Sequence, residues 1–214
     1  MSLPARIALV AATSALIGVA GCSGLQSKQP VTQVYTLSPP LSAPGAPPTP
    51  AAVTLKVLRP LCAPGLDSDN IALTRSGQRL DFYAHSRWAA QLPELVQASA
   101  VDALRAAGVF RAVQSDAVPL DADYLLQIEI RRFQAEYQGD GPPMVRVQLL
   151  ATLGRNADRS LISSVVAMSD VPAGANRLQN VSAAFASALG QALTQLVSQI
   201  QPPPASPASS GTAP

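Results

Sequence analysis

The stretch Tyr124–Tyr137 (YLLQIEIRRFQAEY) is the longest strand signal in the sequence and decides the fold. Apolar and polar side chains alternate as far as Ile130, as in a strand with one buried face. After Arg132 the alternation changes phase by one residue and continues from Phe133. A phase change of this kind predicts a β-bulge, in which one extra residue returns the apolar side chains to the buried face.

Further strand patterns lie on both sides of this stretch. Short tight connections join the later strands, which indicates an antiparallel meander. Residues 76–78 (Ser-Gly-Gln) have the length of a hairpin turn, and residues 60–65 resemble a turn after a strand. The predicted strands cover residues 31–37, 53–58, 70–75, 80–84, 109–113, 145–153 and 160–168.

Two segments have helical spacing instead. The first begins with Ser86 as a predicted N-cap, includes Trp88, and stops at Gly108. Pro93 falls inside this segment, where it would remove a hydrogen bond and kink the helix. The second runs from Leu178 to Ile200 with one apolar stripe. Both stripes need a partner surface, so we expect an α+β fold: a mostly antiparallel sheet with two amphipathic helices packed on it.

The N-terminus has the organisation of an export signal. Arg6 precedes an apolar run at residues 7–20, and Val19-Ala20-Gly21-Cys22 resembles the lipobox of bacterial lipoproteins. In that family the signal is cut before the cysteine, which then carries fatty acyl chains such as palmitate. The resemblance implies a signal peptide at residues 1–21 and lipidation at Cys22. One acyl chain anchors only marginally, whereas two or three hold a protein at the membrane.

Two alternatives to the lipobox are a transmembrane helix and an ordinary secretory signal. A spanning helix needs about 20 apolar residues, and the run at 7–20 is shorter and lacks a basic stop-transfer cluster.

A polar tether would then occupy residues 22–30, followed by one domain at 31–201. A Pro-rich loop is expected at 39–50, and a disordered Pro/Ser/Ala-rich tail at 202–214.

Composition excludes one class of partner. The formal net charge is +2 and only 13% of residues are charged, so no basic stripe for nucleic acid is expected. Arg131 and Arg132, adjacent in a strand, would lie on opposite faces and form no patch by themselves. The last helix carries no Lys or Arg between Val181 and Gln201, which argues against a helix that lies on an anionic membrane.

The residues offer little for catalysis or metal binding. His85 is the single histidine; it lies beside Ser86 and near Asp81, but no Gly-x-Ser-x-Gly motif presents a nucleophile. Residues 67–70 (Asp-Ser-Asp-Asn) begin like a calcium loop without its glycine or closing glutamate. Cys62 and His85 cannot supply a zinc site. We therefore predict no catalytic, cofactor or metal site.

Cys62 has no partner within the chain if Cys22 is a thioether. We interpret it as a small, half-buried apolar residue, with a redox or intermolecular role as the alternative.

The mature domain resembles the ABC-type transport auxiliary lipoproteins, the PqiC-like family. Beyond the lipobox, the matching pieces are residues 35–37 (Tyr-Thr-Leu), Val57 with Pro60, and residues 71–75 and 81–84. The most specific is residues 87–93 (RWAAQLP), which resembles the family's Arg-Trp-Ala followed by a Leu-Pro helix start. The resemblance covers about residues 31–200; the Pro-rich insertion is longer than in the family, and the tail lies outside it.

The resemblance implies a non-catalytic component of an envelope lipid-transport system. Such systems combine an ABC permease and ATPase, or a polytopic membrane protein, with MCE-domain proteins that form a periplasmic conduit for phospholipid. The auxiliary lipoprotein would dock or complete the transporter at the periplasmic face of the outer membrane. Phospholipid is a candidate ligand, and self-association stays open. A general envelope structural lipoprotein is the alternative function; a hydrolase is a third hypothesis without a candidate nucleophile.

Ser23 follows the cysteine where Asp would retain a lipoprotein at the inner membrane. By resemblance to enterobacterial lipoproteins this favours the outer membrane, with the inner membrane as the alternative location.

Three residues are candidates for a partner contact. Trp88 is the only tryptophan, and Tyr83 and Arg87 lie close to it in the chain. Aromatic and Arg side chains are enriched at interaction hot spots. Trp88 could equally fill the core beneath its helix, which we favour. Arg87 would be exposed, either paired with Asp81 or Glu94 or free to contact a partner.

Overall fold

The computed structural model describes residues 30–41, 51–75 and 79–201. The expected signal peptide, the lipidated Cys22, the tether up to residue 29, most of the Pro-rich loop, the turn at 76–78 and the tail at 202–214 lie outside the described residues. Contacts between residues divide the chain into two units, Met1–Val31 and Thr32–Pro214. The fold described below is that of the second unit.

Nine strands form one sheet among the described residues. They are β1 (Gln33–Tyr35), β2 (Ala51–Val57), β3 (Leu61–Cys62), β4 (Asn70–Arg75), β5 (Arg79–Trp88), β6 (Phe110–Ser115), β7 (Tyr124–Tyr137), β8 (Met144–Arg155) and β9 (Leu161–Pro172). Helix α1 (Leu92–Ala107) lies between β5 and β6, and α2 (Leu178–Gln199) follows β9.

Strand β7 is the spine of this sheet. Its one edge pairs with β8 along nearly its whole length, and β8 pairs with β9. Its other edge is shared by β2, β3 and β4 in turn. Beyond these, β6 pairs with β2, and β5 and β1 follow β4. The sheet therefore divides into two branches on one side of β7.

The α+β class with two helices is confirmed, and the sheet is mixed. Its three antiparallel ladders, β4–β5, β7–β8 and β8–β9, hold most of the paired residues. Five further pairings are parallel: β1–β5, β2–β6, β2–β7, β3–β7 and β4–β7. Parallel neighbours need crossover connections, and α1 and the long loops supply them.

The β-bulge in β7 is confirmed. Ile130 pairs with Leu149 and Arg132 with Gln148, so Arg131 is the extra residue. The side chains buried on the helix side accordingly follow one alternation up to Ile130 and the shifted one from Phe133. The bulge leaves Arg131 and Arg132 both exposed. Our expectation that they lie on opposite faces of a regular strand is therefore wrong.

The boundary between β5 and α1 differs from the sequence prediction. Residues 86–88 extend β5, because they pair in parallel with β1. The helix begins only at Leu92, with Gln91 as N-cap and Pro93 in its first turn. Ser86 is thus not the N-cap. Proline is well accommodated at that end, where the N–H it lacks has no partner within the helix, so it does not kink α1.

Two smaller differences concern the first half of the domain. The first strand is shorter than expected, and β3 lies within the segment interpreted as a turn. The turn itself follows β3: the Leu66 N–H donates to the Ala63 carbonyl at 3.1 Å, and Gly65 adopts a φ of 86°. Gly108 ends α1 in the left-handed conformation, as predicted.

Both helices pack on one face of the sheet, α1 over β2 and β6 and α2 over β8 and β9. Three aromatic rings from three elements meet between the layers. Trp88 lies edge-on to Phe133 and Phe185, with ring centroids 6.3 and 5.4 Å apart, and the two phenylalanine rings stack at 5.0 Å. Such pairs add to the stabilisation from burial.

Candidate functional site

Tyr83 lies where β5 leaves its ladder with β4. Ala72 pairs with Phe82, but the next pair joins Asn70 to Arg87, so residues 83–86 form a wide bulge. His85, in this bulge, has a φ of 53°. The bulge turns Tyr83 toward the end of β7, where it is half buried.

The Tyr83 hydroxyl lies 2.9 Å from that of Tyr137. Tyr137 in turn donates to Asn176 Oδ1 at 2.8 Å, in the loop before α2, so Tyr83 is the donor to Tyr137. The Arg75 guanidinium covers the Tyr137 ring at 4.9 Å. Burial, together with the hydrogen bond to Tyr137, raises the pKa of Tyr83. This neutral phenol therefore fixes the bulge to β7.

Arg87 is exposed, as expected, but its partner differs from both acids considered. Its Nη1 lies 3.1 Å from Asp69 Oδ2, in the loop before β4. Asp81 pairs with Arg79 instead. The Asp69 carbonyl also accepts the Trp88 N–H at 2.7 Å, so the loop follows this end of β5 closely. Exposed ion pairs contribute less than about 1 kcal/mol, and Arg87 can therefore exchange Asp69 for an acidic partner at small cost.

Trp88 is 1% exposed and belongs to the aromatic cluster of the core. The structure thus places it in the core, the interpretation that we favoured. Tyr83, Arg87 and Trp88 do not form one surface, because alternate side chains of β5 point to opposite faces and the bulge redirects Tyr83. Of the three, Arg87 is the most accessible to a partner.

A network around Arg59 was not expected from the sequence. Its guanidinium donates to Asp67 Oδ1 at 2.9 Å and to Gln91 Oε1 at 2.8 Å. Its backbone N–H donates to Asp116 Oδ2 at 2.8 Å. The network joins the β2–β3 connection, the start of α1 and the end of β6. Only the tertiary fold brings these residues together, so no spacing in the sequence indicates it.

The residues considered for metal binding or nucleophilic chemistry are held in ion pairs or partly buried. Asp67 and Asp69, the beginning of the calcium-like stretch, are each paired with an arginine. Within the described ranges, no three His, Cys, Asp or Glu residues are grouped as metal ligands would be. Burial raises the pKa of the Cys62 thiol to about 11. Because the thiolate is the reactive form, this thiol is a poor nucleophile at neutral pH.

The face of β7, β8 and β9 that points away from the helices is the most unusual surface of the domain. We call it the open sheet face, defined by Leu61, Glu129, Arg131, Arg132, Gln148, Leu150, Val166 and Met168. Leu61, Val166 and Met168 are exposed apolar side chains on it. Beside them is a shallow concavity of about 350 Å³, lined by Arg132, Arg146, Gln148, Met168 and Asp170 among others. Exposed apolar side chains and charged side chains of both signs thus lie side by side on this face.

The geometry is that of a two-layer α+β domain with exposed charged and apolar side chains on its sheet. The sequence matches the family described as the ABC-type transport auxiliary lipoprotein component over residues 35–201. The chain belongs to that family.

Several solved structures are similar to this fold. A protein from Xanthomonas campestris superposes with a TM-score of 0.71 at 28% identity, over 77% of this chain and 92% of that chain. An uncharacterised protein superposes with a TM-score of 0.62 at 16% identity, over 80% of this chain and all of that chain, which shows the fold alone. No curated protein sequence matches the chain.

Proposed function

We propose that the protein is a lipid-anchored, non-catalytic component of an ABC/MCE-type envelope lipid-transport system. In this proposal it docks or completes the transporter at the periplasmic face of the outer membrane. The observation that carries the proposal is the family match across residues 35–201, which covers the whole domain. The lipobox-like residues 19–22 support an anchored location.

The anchor is the part of the proposal that one residue can test. Neither described helix is long and apolar enough to span a membrane, and acyl chains on Cys22 would supply the membrane affinity. Cys22→Ala should move the full chain from the membrane fraction to the periplasmic extract. Cys62→Ala is the matched control and should stay with the membrane. Membrane retention of Cys22→Ala would exclude the lipid anchor.

Docking is proposed to use exposed charge on the domain, with Arg87 as the candidate contact. An MCE-domain protein and an ABC permease and ATPase are the proposed partners. Crosslinking in native membranes, followed by purification of this chain, should recover the MCE-domain protein. Arg87→Glu should reduce the recovery, because the reversed charge would repel the acidic partner group for which Arg87 exchanges Asp69.

The control for this experiment is Arg79→Glu, an exposed arginine on the same strand that also pairs with an aspartate. Its recovery should equal that of the wild type. Recovery of no transporter protein from wild-type membranes would instead favour the alternative, a general envelope structural lipoprotein.

A further inference from the structure

Strand β9 has a long edge that pairs with no other strand among the described residues. It pairs only with β8 among the described strands, and its pairing is regular from Ser163 to Pro172. No charged residue, glycine or proline lies between Leu161 and Ser169. Sheets usually protect such an edge with lysine, proline, a bulge or a very short strand. Here Asp170 and Pro172 protect only its last residues.

The backbone groups on the free side of β9 can be identified. In an antiparallel ladder, successive residues direct their N–H and C=O groups to opposite sides of the strand. The Met168 N–H donates at 3.1 Å to Gln195 Oε1 of α2, not to β8. The Ala173 N–H, of opposite parity, donates to the Pro143 carbonyl on the β8 side. The free side therefore presents the backbone groups of Ser164, Val166, Met168 and Asp170.

The chemistry of this edge specifies its ligand as another extended strand. Alternating N–H and C=O groups are best satisfied by a backbone with the same repeat. Side chains next to the edge favour an apolar neighbour: Val166 is 44% and Met168 57% exposed, on the open sheet face.

We propose that β9 pairs antiparallel with β9 of a second copy of the chain, about a two-fold axis at Ala167. This register pairs the whole strand, because Ala167 is at its middle. Val166 then lies opposite Met168 of the second copy, and Ser164 lies opposite Asp170. The only charge in the ladder faces a hydroxyl, no like charges meet, and the exposed apolar side chains of both copies form one strip.

In the single chain, the Gln195 side chain takes the place that the backbone of the second strand would occupy. Its amide oxygen satisfies the Met168 N–H while the edge is free, and the carbonyl of Val166 from the second copy would replace it. The interface is self-complementary and independent of the transport role, so it goes beyond the proposed function.

The test is disulfide trapping in the full chain, with Cys62→Ala in every variant. Val166→Cys combined with Met168→Cys should give a disulfide-linked dimer under mild oxidation, because these positions face each other across the axis. Within one strand the two side chains are too far apart to be bridged. Ser164→Cys combined with Val166→Cys is the matched control: its cysteines face unsubstituted positions, so it should be trapped at least several-fold less.

Two single substitutions test the same edge without cysteine. Gln195→Ala leaves the Met168 N–H without its acceptor in each monomer, so the dimer should tighten by roughly thirty-fold, as expected for one net hydrogen bond in each of the two copies. Val166→Lys places a charge on the edge and should weaken the dimer. Analytical ultracentrifugation in detergent measures both, and circular dichroism confirms that each variant is folded.

Three outcomes would overturn the inference. One is a monomer with no trapping of the first cysteine pair in folded protein, and another is equal trapping of both pairs. The third is a disulfide between Val166→Cys of one copy and Arg111→Cys on the β6 edge of another copy, which would indicate head-to-tail pairing. Membrane fractionation of the same variants reports the anchor separately.

Discussion

The Tyr83–Tyr137 pair shows how a residue distant in the sequence fixes the position of one side chain. Tyr137 accepts from Tyr83 and donates to Asn176, so one hydroxyl joins three segments. The sequence places Tyr83 near Arg87 and Trp88, and that proximity suggested a contact site. Its role as an anchor of the bulge depends on Tyr137, more than fifty residues away, which no local pattern connects to it.

This arrangement predicts an order of stability. Tyr137→Phe removes both hydrogen bonds and should lower the free energy of unfolding by about 2 kcal/mol, whereas Tyr83→Phe removes one and should cost about 1 kcal/mol. Urea denaturation followed by circular dichroism measures both. Tyr35→Phe is the control, since its hydroxyl bonds only the exposed Gln33 side chain. A larger loss for Tyr83→Phe would contradict the network.

At the scale of elements, the β7 bulge is the feature that the sequence predicts best, because four alternating apolar positions precede the phase change on this strand and three follow it. Deleting Arg131 should convert the bulge to regular pairing and leave Phe133 and Ala135 on the buried face, because Arg132 already lies opposite Gln148 and Phe133 opposite Val147. We therefore expect the deletion variant to lose much less than about 3–5 kcal/mol, which is what removal of one buried phenylalanine costs.

Arg131→Ala keeps the extra residue and is the matched control. Its exposed side chain lies 3.4 Å from Glu129, so its loss should change stability by less than about 1 kcal/mol. Thermal unfolding of the two variants distinguishes backbone length from side-chain chemistry. A deletion variant less stable than Arg131→Ala by about 3–5 kcal/mol would show instead that the buried position of Phe133 depends on the bulge.

The β5–α1 boundary was mispredicted for a physical reason. Trp88 is spaced from Leu92 as in a helix, but it is buried from a strand whose backbone pairs with β1 and with the loop at Asp69. The first N–H of α1 is likewise satisfied by the Ser68 carbonyl at 2.9 Å instead of a capping side chain. Both partners are distant in sequence, so periodicity alone could not identify the boundary.

Helix α2 has one position where a missing side chain matters. A Cβ on Gly190 would lie 2.6 Å from the Pro40 carbonyl oxygen, in the segment that follows β1. Gly190→Ala should lower the free energy of unfolding by about 1–2 kcal/mol, because the clash with backbone exceeds the helix-propensity gain of about 1 kcal/mol. Ser198→Ala, exposed on the same helix, should be neutral or slightly stabilising. Thermal denaturation decides between the two signs.

For the whole molecule, the sequence predicts the layers but not the order of strands. Alternation shows which face of each strand is buried, and this fixed the α+β class. The pairing of β2, β3 and β4 along one edge of β7 depends on crossovers and on loops such as the one around Arg59. These pairings join residues that are distant in the sequence, so local alternation does not indicate them. Strand β3 has only two residues, which is too short to show a period.

The link between the helix layer and the sheet predicts an acid-sensitive stability. Asp116 accepts from the Arg59 N–H and from Gln97 of α1, which also donates to the Val57 carbonyl. Burial opposes ionisation of Asp116, but these hydrogen bonds outweigh it and lower its pKa. A carboxyl with a lowered folded-state pKa stabilises the fold above its unfolded pKa of about 3.9, and this contribution is lost as the pH falls through the folded value.

Asp116→Asn should therefore be less stable than wild type at pH 6, and the difference should shrink as the pH falls below about 4. Urea unfolding at pH 6, 4 and 3 measures this convergence. Asp140→Asn, an exposed residue in the β7–β8 connection, should follow the wild-type curve throughout. A constant difference between Asp116→Asn and wild type at every pH would mean that the carboxylate charge does not join the two layers, and that packing alone holds α1 on the sheet.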